Sequence, residues 1–174
     1  FMGLELEVNE NVLIPRQDTE LLVEEVLKVC KGKSVIDVCT GSGCIIIALM
    51  KLGNIKNAVG TDISEEALQV AGRNAKRHNV DVKFIQSDLF NNVEGSYDIV
   101  ISNPPYIRSD EIRSLMPEVK DYEPKGALDG GLSGLIFYER IIHDADRFLN
   151  PEGYIFFEIG YDQGVEVSNM LCVC

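Results

Sequence analysis

Apolar positions along the chain fall into short solid runs separated by longer stretches of helical spacing. Residues 34–38, 58–62, 82–86, 97–101 and 154–159 are rich in β-branched and aromatic side chains and read as buried strands. Between them lie segments with one apolar face. Leu21, Leu22, Val26 and Val29 mark the first, which Asp18 or Thr19 caps and Gly32-Lys33 ends. Residues 45–50 are apolar throughout, and Ala67, Leu68, Ala71 and Ala75 stripe a helix running to His78. Ser133 caps a further helix carrying Leu135, Ile141, Ile142, Ala145, Phe148 and Leu149, and the turn at residues 150–153 leads into the last strand. An amphipathic segment, residues 165–171, follows it. Residues 4–14 alternate in a way that predicts two short strands about the turn Asn9-Glu10-Asn11.

Strands alternating with helices predict an α/β fold, a doubly wound, mostly parallel sheet preceded by a short β-hairpin. With strand order 3-2-1-4-5, the order reverses between strands one and four, and ligands bind beyond the strand ends at such a reversal. Two segments would meet there. Cys39-Thr40-Gly41-Ser42-Gly43 follows strand one and runs into an apolar helix, as at the start of a nucleotide-binding βαβ unit. Ile46 stands where a dinucleotide fingerprint has its third glycine, so the turn suits a smaller adenosyl ligand without phosphates. Asp62 ends strand two, 19 residues after Gly43. There a carboxylate accepts ribose hydroxyls, or else caps the next helix, a task Ser64 also performs. Asp88 and Leu89, after strand three, are placed to line an adenine pocket.

The second segment, Ser102-Asn103-Pro104-Pro105-Tyr106, ends strand four. Each proline lacks an N–H and fixes its φ, so Asn103 sits on a stiff backbone. Its carboxamide and the Pro104 carbonyl make a pair of acceptors that fits a planar –NH2 group. A plain strand-terminating turn is the alternative. Beyond it, residues 107–131 are irregular apart from a short helix near 110–115, and read as a lid or a surface excursion. An adenosyl donor beside an amine acceptor is the arrangement of a methyltransferase.

Charge narrows the acceptor. Net charge is −12, from 28 acidic and 16 basic residues, which disfavours a nucleic-acid surface. Cys30, Cys39, Cys44, Cys172 and Cys174 form no C-x-x-C pair, and neither His78 nor His143 has a second ligand nearby, so no metal is expected. No apolar run approaches the roughly 20 residues of a membrane span, and a cytoplasmic location is expected. The chain opens on Phe1 and reads as part of something longer.

These residues resemble the protein-glutamine methyltransferases that modify bacterial peptide-chain release factors. The resemblance rests on residues 12–20, on Asp37-Val38-Cys39-Thr40-Gly41-Ser42-Gly43 (Cys39 standing where glycine is common) and on Asn103-Pro104-Pro105-Tyr106-Ile107. Residues 123–128 and 157–160 extend it. It implies a Rossmann-like fold, with residues 1–16 as a leading hairpin and 17–174 as a catalytic domain lacking its last strands. It implies that Cys39, Thr40, Gly41, Ser42, Gly43, Asp62, Leu89 and Asn103 contact S-adenosylmethionine. Asn103, Pro104, Pro105 and Tyr106 would hold the glutamine of a release factor, with Asn103, Pro104 and Tyr106 in the catalytic role. Asn-Pro-Pro-Tyr is shared with adenine-amine methyltransferases, so DNA or RNA methylation is the runner-up. A cofactor-binding fragment without turnover is the third reading.

Overall fold

The structure is a computed structural model, and it describes residues 1–172. Five strands, β1 (Ser34–Val38), β2 (Asn57–Asp62), β3 (Lys83–Gln86), β4 (Tyr97–Ser102) and β5 (Leu149–Phe157), form one sheet in the order β3-β2-β1-β4-β5. Every pairing is parallel. Six α-helices accompany them: α1 (Gln17–Leu27), α2 (Cys44–Leu52), α3 (Glu65–Arg77), α4 (Pro117–Lys120), α5 (Ile136–Ala145) and α6 (Gly164–Leu171). Among the described residues no helix is long and apolar enough to cross a membrane.

The period of two in a strand divides the core into two layers. Val35, Ile99 and Ile101 face one, packed with Val23, Val26, Ile45 and Leu49 of α1 and α2. Ile36, Val38 and Val100 face the other, with Ile141 of α5 and Phe148. The doubly wound sheet and the strand order are as the sequence predicts. Register places Val38 of β1 opposite Ser102 of β4, so the glycine loop and Asn103 leave the sheet side by side.

The leading hairpin does not form. Residues 1–16 contain no strand, although the Asn9–Asn11 turn is present, with the Val12 N–H donating to Asn9 O at 3.2 Å. The extended chain pairs with α3 instead. The Glu7 N–H donates to Asn74 Oδ1 at 2.7 Å, and Asn74 Nδ2 returns a bond to Glu7 O at 2.9 Å. Glu5 and Glu7 form ion pairs with Arg77 and Arg73. Alternating polarity reflects a segment lying along a helix, not against a second strand.

Helix ends also shift. Arg16 occupies the N-cap of α1 without a side-chain capping bond, and Thr19 is buried instead of capping. The cap of α5 is Leu135, and Ser133 acts two residues earlier by accepting from the Leu135 N–H at 3.1 Å. Pairing of β5 begins at Leu149, well before residue 154, because the Tyr97 N–H bonds Phe148 O. The register irregularity between Tyr97 and Ile99 then absorbs the expected turn, with Glu152 at φ 63°. Residues 107–131 contain two short 3-10 turns and the single-turn α4.

Candidate functional site

The turn after β1 is shaped by acids beneath it. Asp37, fully buried in β1, accepts the Thr40 hydroxyl on Oδ2 at 2.6 Å, while Oδ1 has no hydrogen-bond partner among the described residues. Burial pushes its carboxyl up to about 7, and the Thr40 bond offsets this only in part. Asp62 ties the loops together: Oδ2 accepts the Gly41 N–H at 2.9 Å and Oδ1 accepts the Ser64 N–H at 3.0 Å. Burial raises its carboxyl too, against those backbone bonds. Ser64 itself caps α3, its hydroxyl accepting from the Ala67 N–H. Asp62 is therefore free of the side-chain capping role.

Gly43 starts α2 at φ 78°, where a Cβ would stand 2.9 Å from Ile47 Cδ1 and 3.1 Å from Ala71 Cβ. Only glycine allows α2 and α3 to close on this turn. Cys39 at φ 62° and Leu89 at φ 53°, both lining the cavity, are left-handed without being glycine. Burial, with the Asp62 and Asp37 carboxylates nearby, pushes the Cys39 thiol up, and Cys44 is raised to about 12. Neither is disposed to act as a thiolate.

Beyond β4, Pro104 and Pro105 are buried and Asn103 is half-buried. Asn103 Nδ2 reaches Thr19 Oγ1 of α1 at 3.4 Å. Tyr106 donates its hydroxyl to Glu158 Oε1 at 3.3 Å, and burial beside that carboxylate pushes the phenol up to about 12.

A cavity of about 540 Å³ opens over the ends of β1, β2 and β4. Of the residues predicted to form the site, Cys39, Thr40, Gly41, Ser42, Asp62, Leu89, Asn103 and Pro105 line it, as does Asp88. Gly43 and Pro104 are not among its lining residues. Tyr106 borders a separate groove with Asp18, Leu21, Glu25, Glu158 and Tyr161. The clamp thus straddles two depressions. The cavity's size is that of a small-molecule site, and its acids suit a ligand carrying positive charge. Among the described residues no group of three or more His, Cys, Asp or Glu side chains could hold a metal ion.

A family model described as the methyltransferase small domain matches residues 16–118. The chain belongs to that family. It is 42% identical, over 97% of its length, to a release factor glutamine methyltransferase of Agrobacterium fabrum. To a protein of the same name from Clostridium acetobutylicum it is 48% identical over 98%. It spans 61% and 63% of those two curated relatives. A solved ribosomal protein L11 methylase from Lactobacillus delbrueckii subsp. bulgaricus matches at TM-score 0.69 and 25% identity, over 93% of this chain and 70% of that one.

Several residues of this methyltransferase small domain site carry no site role in the sequence reading, although Arg16 and Thr19 fall within the segment 12–20. Arg16 and Thr19 line the cavity from the leading segment and α1, and Phe137 and Arg140 from α5. Arg140 donates to Asp88 Oδ2 at 2.7 Å. Arg16 pairs with Glu123, whose side chain is only 4% exposed and whose Oε2 has no partner among the described residues. That pair ties the 107–131 segment to the leading segment beside the cavity, whose wall includes Pro124, Gly126, Ala127 and Asp129. Asp37 did carry a signal, an acid inside an otherwise apolar strand.

Proposed function

We propose that the chain is the catalytic part of a cytoplasmic S-adenosylmethionine-dependent methyltransferase, acting on the side-chain amide of the glutamine in the Gly-Gly-Gln motif of peptide-chain release factors. One observation carries the reading: the Asp62-braced glycine loop and Asn103 leave adjacent strands and share one cavity. The names of the curated relatives support the acceptor.

Cys39, Thr40, Gly41 and Ser42 would hold the amino-acid end of the cofactor, Asp62 its ribose, and Asp88 with Leu89 its adenine. When bound, it supplies an electrophilic methyl group on a sulfonium centre. The chain's own residues do the rest. An amide nitrogen is a poor nucleophile because its lone pair is delocalised. Asn103 Oδ1 and the Pro104 carbonyl accept its two N–H bonds and hold the nitrogen toward the methyl. Thr19 receives Asn103 Nδ2, which leaves Oδ1 for the substrate. Tyr106 walls the acceptor side. No side-chain base is needed, since methylation acidifies the N–H and the proton leaves to water. Orientation and preorganised dipoles carry the catalysis.

Incubation with labelled cofactor and, separately, intact release factor or an oligonucleotide tests this. One methyl on the Gly-Gly-Gln glutamine, located by mass spectrometry, is the expected outcome. Methyl on adenine with none on protein would transfer the activity to nucleic acid.

A further inference from the structure

The clamp is braced from a part of the chain that lies outside the matched family model. Gln163, in the turn before α6, is 5% exposed. Its carboxamide bonds three main-chain groups from three different segments. Nε2 donates to Tyr106 O at 3.0 Å and to Gly134 O at 3.2 Å, and Oε1 accepts the Gly160 N–H at 2.9 Å. Both amide hydrogens are used, so the carboxamide has one orientation.

The next residue is tied by main chain, the Ile107 N–H donating to Leu128 O at 3.0 Å and Ile107 O accepting the Gly130 N–H at 2.8 Å, while Gln163 supplies the side-chain bond to the Tyr106 carbonyl itself. A Cβ at Gly130 would lie 2.7 Å from Tyr106 Cα, and one at Gly134 would lie 2.6 Å from Tyr106 O and 2.7 Å from Gln163 Nε2. Backbone is therefore packed against backbone, with room for the glutamine amide alone. The opposite end of Tyr106 is held by Glu158, whose own carbonyl accepts the Tyr138 hydroxyl at 2.9 Å. Proline fixes φ at residues 104 and 105, and each proline restricts ψ of the residue before it, so ψ of Pro105 is the first angle left open after the clamp. The direction of the Asn103 and Pro104 acceptors then depends on where the next carbonyl is tied.

We infer that Gln163 is a positioning residue of the acceptor clamp: by anchoring the Tyr106 carbonyl it sets the aim of the Asn103 and Pro104 acceptors. This rests on the reading of Asn-Pro-Pro-Tyr as the clamp for the glutamine amide. The residue touches neither donor nor acceptor, and its effect is on orientation.

Gln163→Met keeps the length and removes both donors, and Gln163→Glu keeps the shape but opposes two carbonyls with a carboxylate. Gly134→Ala presses on the same carbonyl with Gln163 intact. Each is compared with the parent chain by kcat and KM on release factor, by the Kd for S-adenosylhomocysteine, and by thermal unfolding. We expect kcat to fall about tenfold or more, since displacements near 1 Å carry costs of that order. The Kd should stay within about twofold, as a positioning role outside the cofactor cavity requires. An unchanged kcat in a folded variant overturns the inference and leaves the proposed function standing. Loss of kcat and cofactor-analogue affinity together also overturns it, assigning Gln163 to general stability. A parent chain that binds S-adenosylhomocysteine yet never methylates release factor removes the proposed acceptor, and this inference with it.

Discussion

The two ends of the sheet treat a strand carboxylate in opposite ways. Where the strands begin, Asp98 of β4 accepts the Ser34 N–H at 2.7 Å, the Ser34 hydroxyl at 2.8 Å and Asn150 Nδ2 at 2.8 Å. Those bonds, the Ser34 N–H first, hold its carboxyl down to about 2. Where the strands end, Asp37 of β1 has one bonded oxygen and one orphan, and burial raises it to about 7. One end joins β1, β4 and β5 through saturated hydrogen bonds. The other leaves acceptors unmet beside a cavity. Local dissatisfaction at one end of an otherwise consistent fold is the physical mark of a site.

The largest test of that contrast is Asn103→Ala. Methyl transfer should fall by about 10²–10³, as for loss of one preorganised polar group, while the unfolding midpoint barely moves. Initial rates beside a thermal melt give both quantities. Transfer near the parental rate would return Asn103 to the role of a plain strand terminator.

Next comes pH. Asp37 has a folded pKa above the ordinary carboxylate value, so the folded state binds the extra proton. Its contribution is fully present below about pH 4, is lost as pH rises through about 7, and is flat beyond, a change on the order of 4 kcal/mol. Asp98 runs the other way: its contribution is present above about pH 4 and lost as pH falls toward 2. Urea unfolding of Asp37→Asn across pH 4 to 8 should show a flatter profile than the parent. An identical slope would mean that Asp37 titrates normally.

Asp98→Ala should cost about 2–3 kcal/mol of stability through its lost charged hydrogen bonds, and leave S-adenosylhomocysteine affinity unchanged. Asp62→Ala should do the reverse, weakening cofactor binding by about 1–3 kcal/mol. Calorimetry on both variants decides whether the ends are as separate as their bonding suggests. Weakened affinity in Asp98→Ala would show that they are coupled.

Much of the fold was legible because its signals are local. Residues 34–38 are rich in β-branched side chains, Gly41 and Gly43 follow closely, and Pro104-Pro105 stops β4 within the motif itself. The supporting residues act at long range. Arg16 reaches Glu123 across 107 residues, Thr19 meets Asn103 across 84, and Gln163 meets Tyr106 across 57. No spacing in the sequence announces such pairs. The leading hairpin fails for the same reason: residues 4–14 have strand-like alternation, but Glu5 and Glu7 find their partners on α3.

The smallest effect concerns Cys39. A left-handed non-glycine residue costs roughly 1–2 kcal/mol in backbone strain, and Cys39 sits at φ 62°. Cys39→Gly relieves that strain. It also gives the unfolded chain more freedom, which returns about 0.5–1 kcal/mol, and removes a thiol packed beside the second core layer. The terms nearly cancel, with the strain slightly larger, so stability should rise by no more than about 1 kcal/mol. Cofactor-analogue affinity should hold, because the backbone of the turn is what glycine preserves. Denaturant unfolding and calorimetry read the two quantities together. A loss of more than about 1 kcal/mol would mean that the thiol's packing outweighs the strain. The open end would then be held by its side chains as firmly as the closed end is held by Asp98.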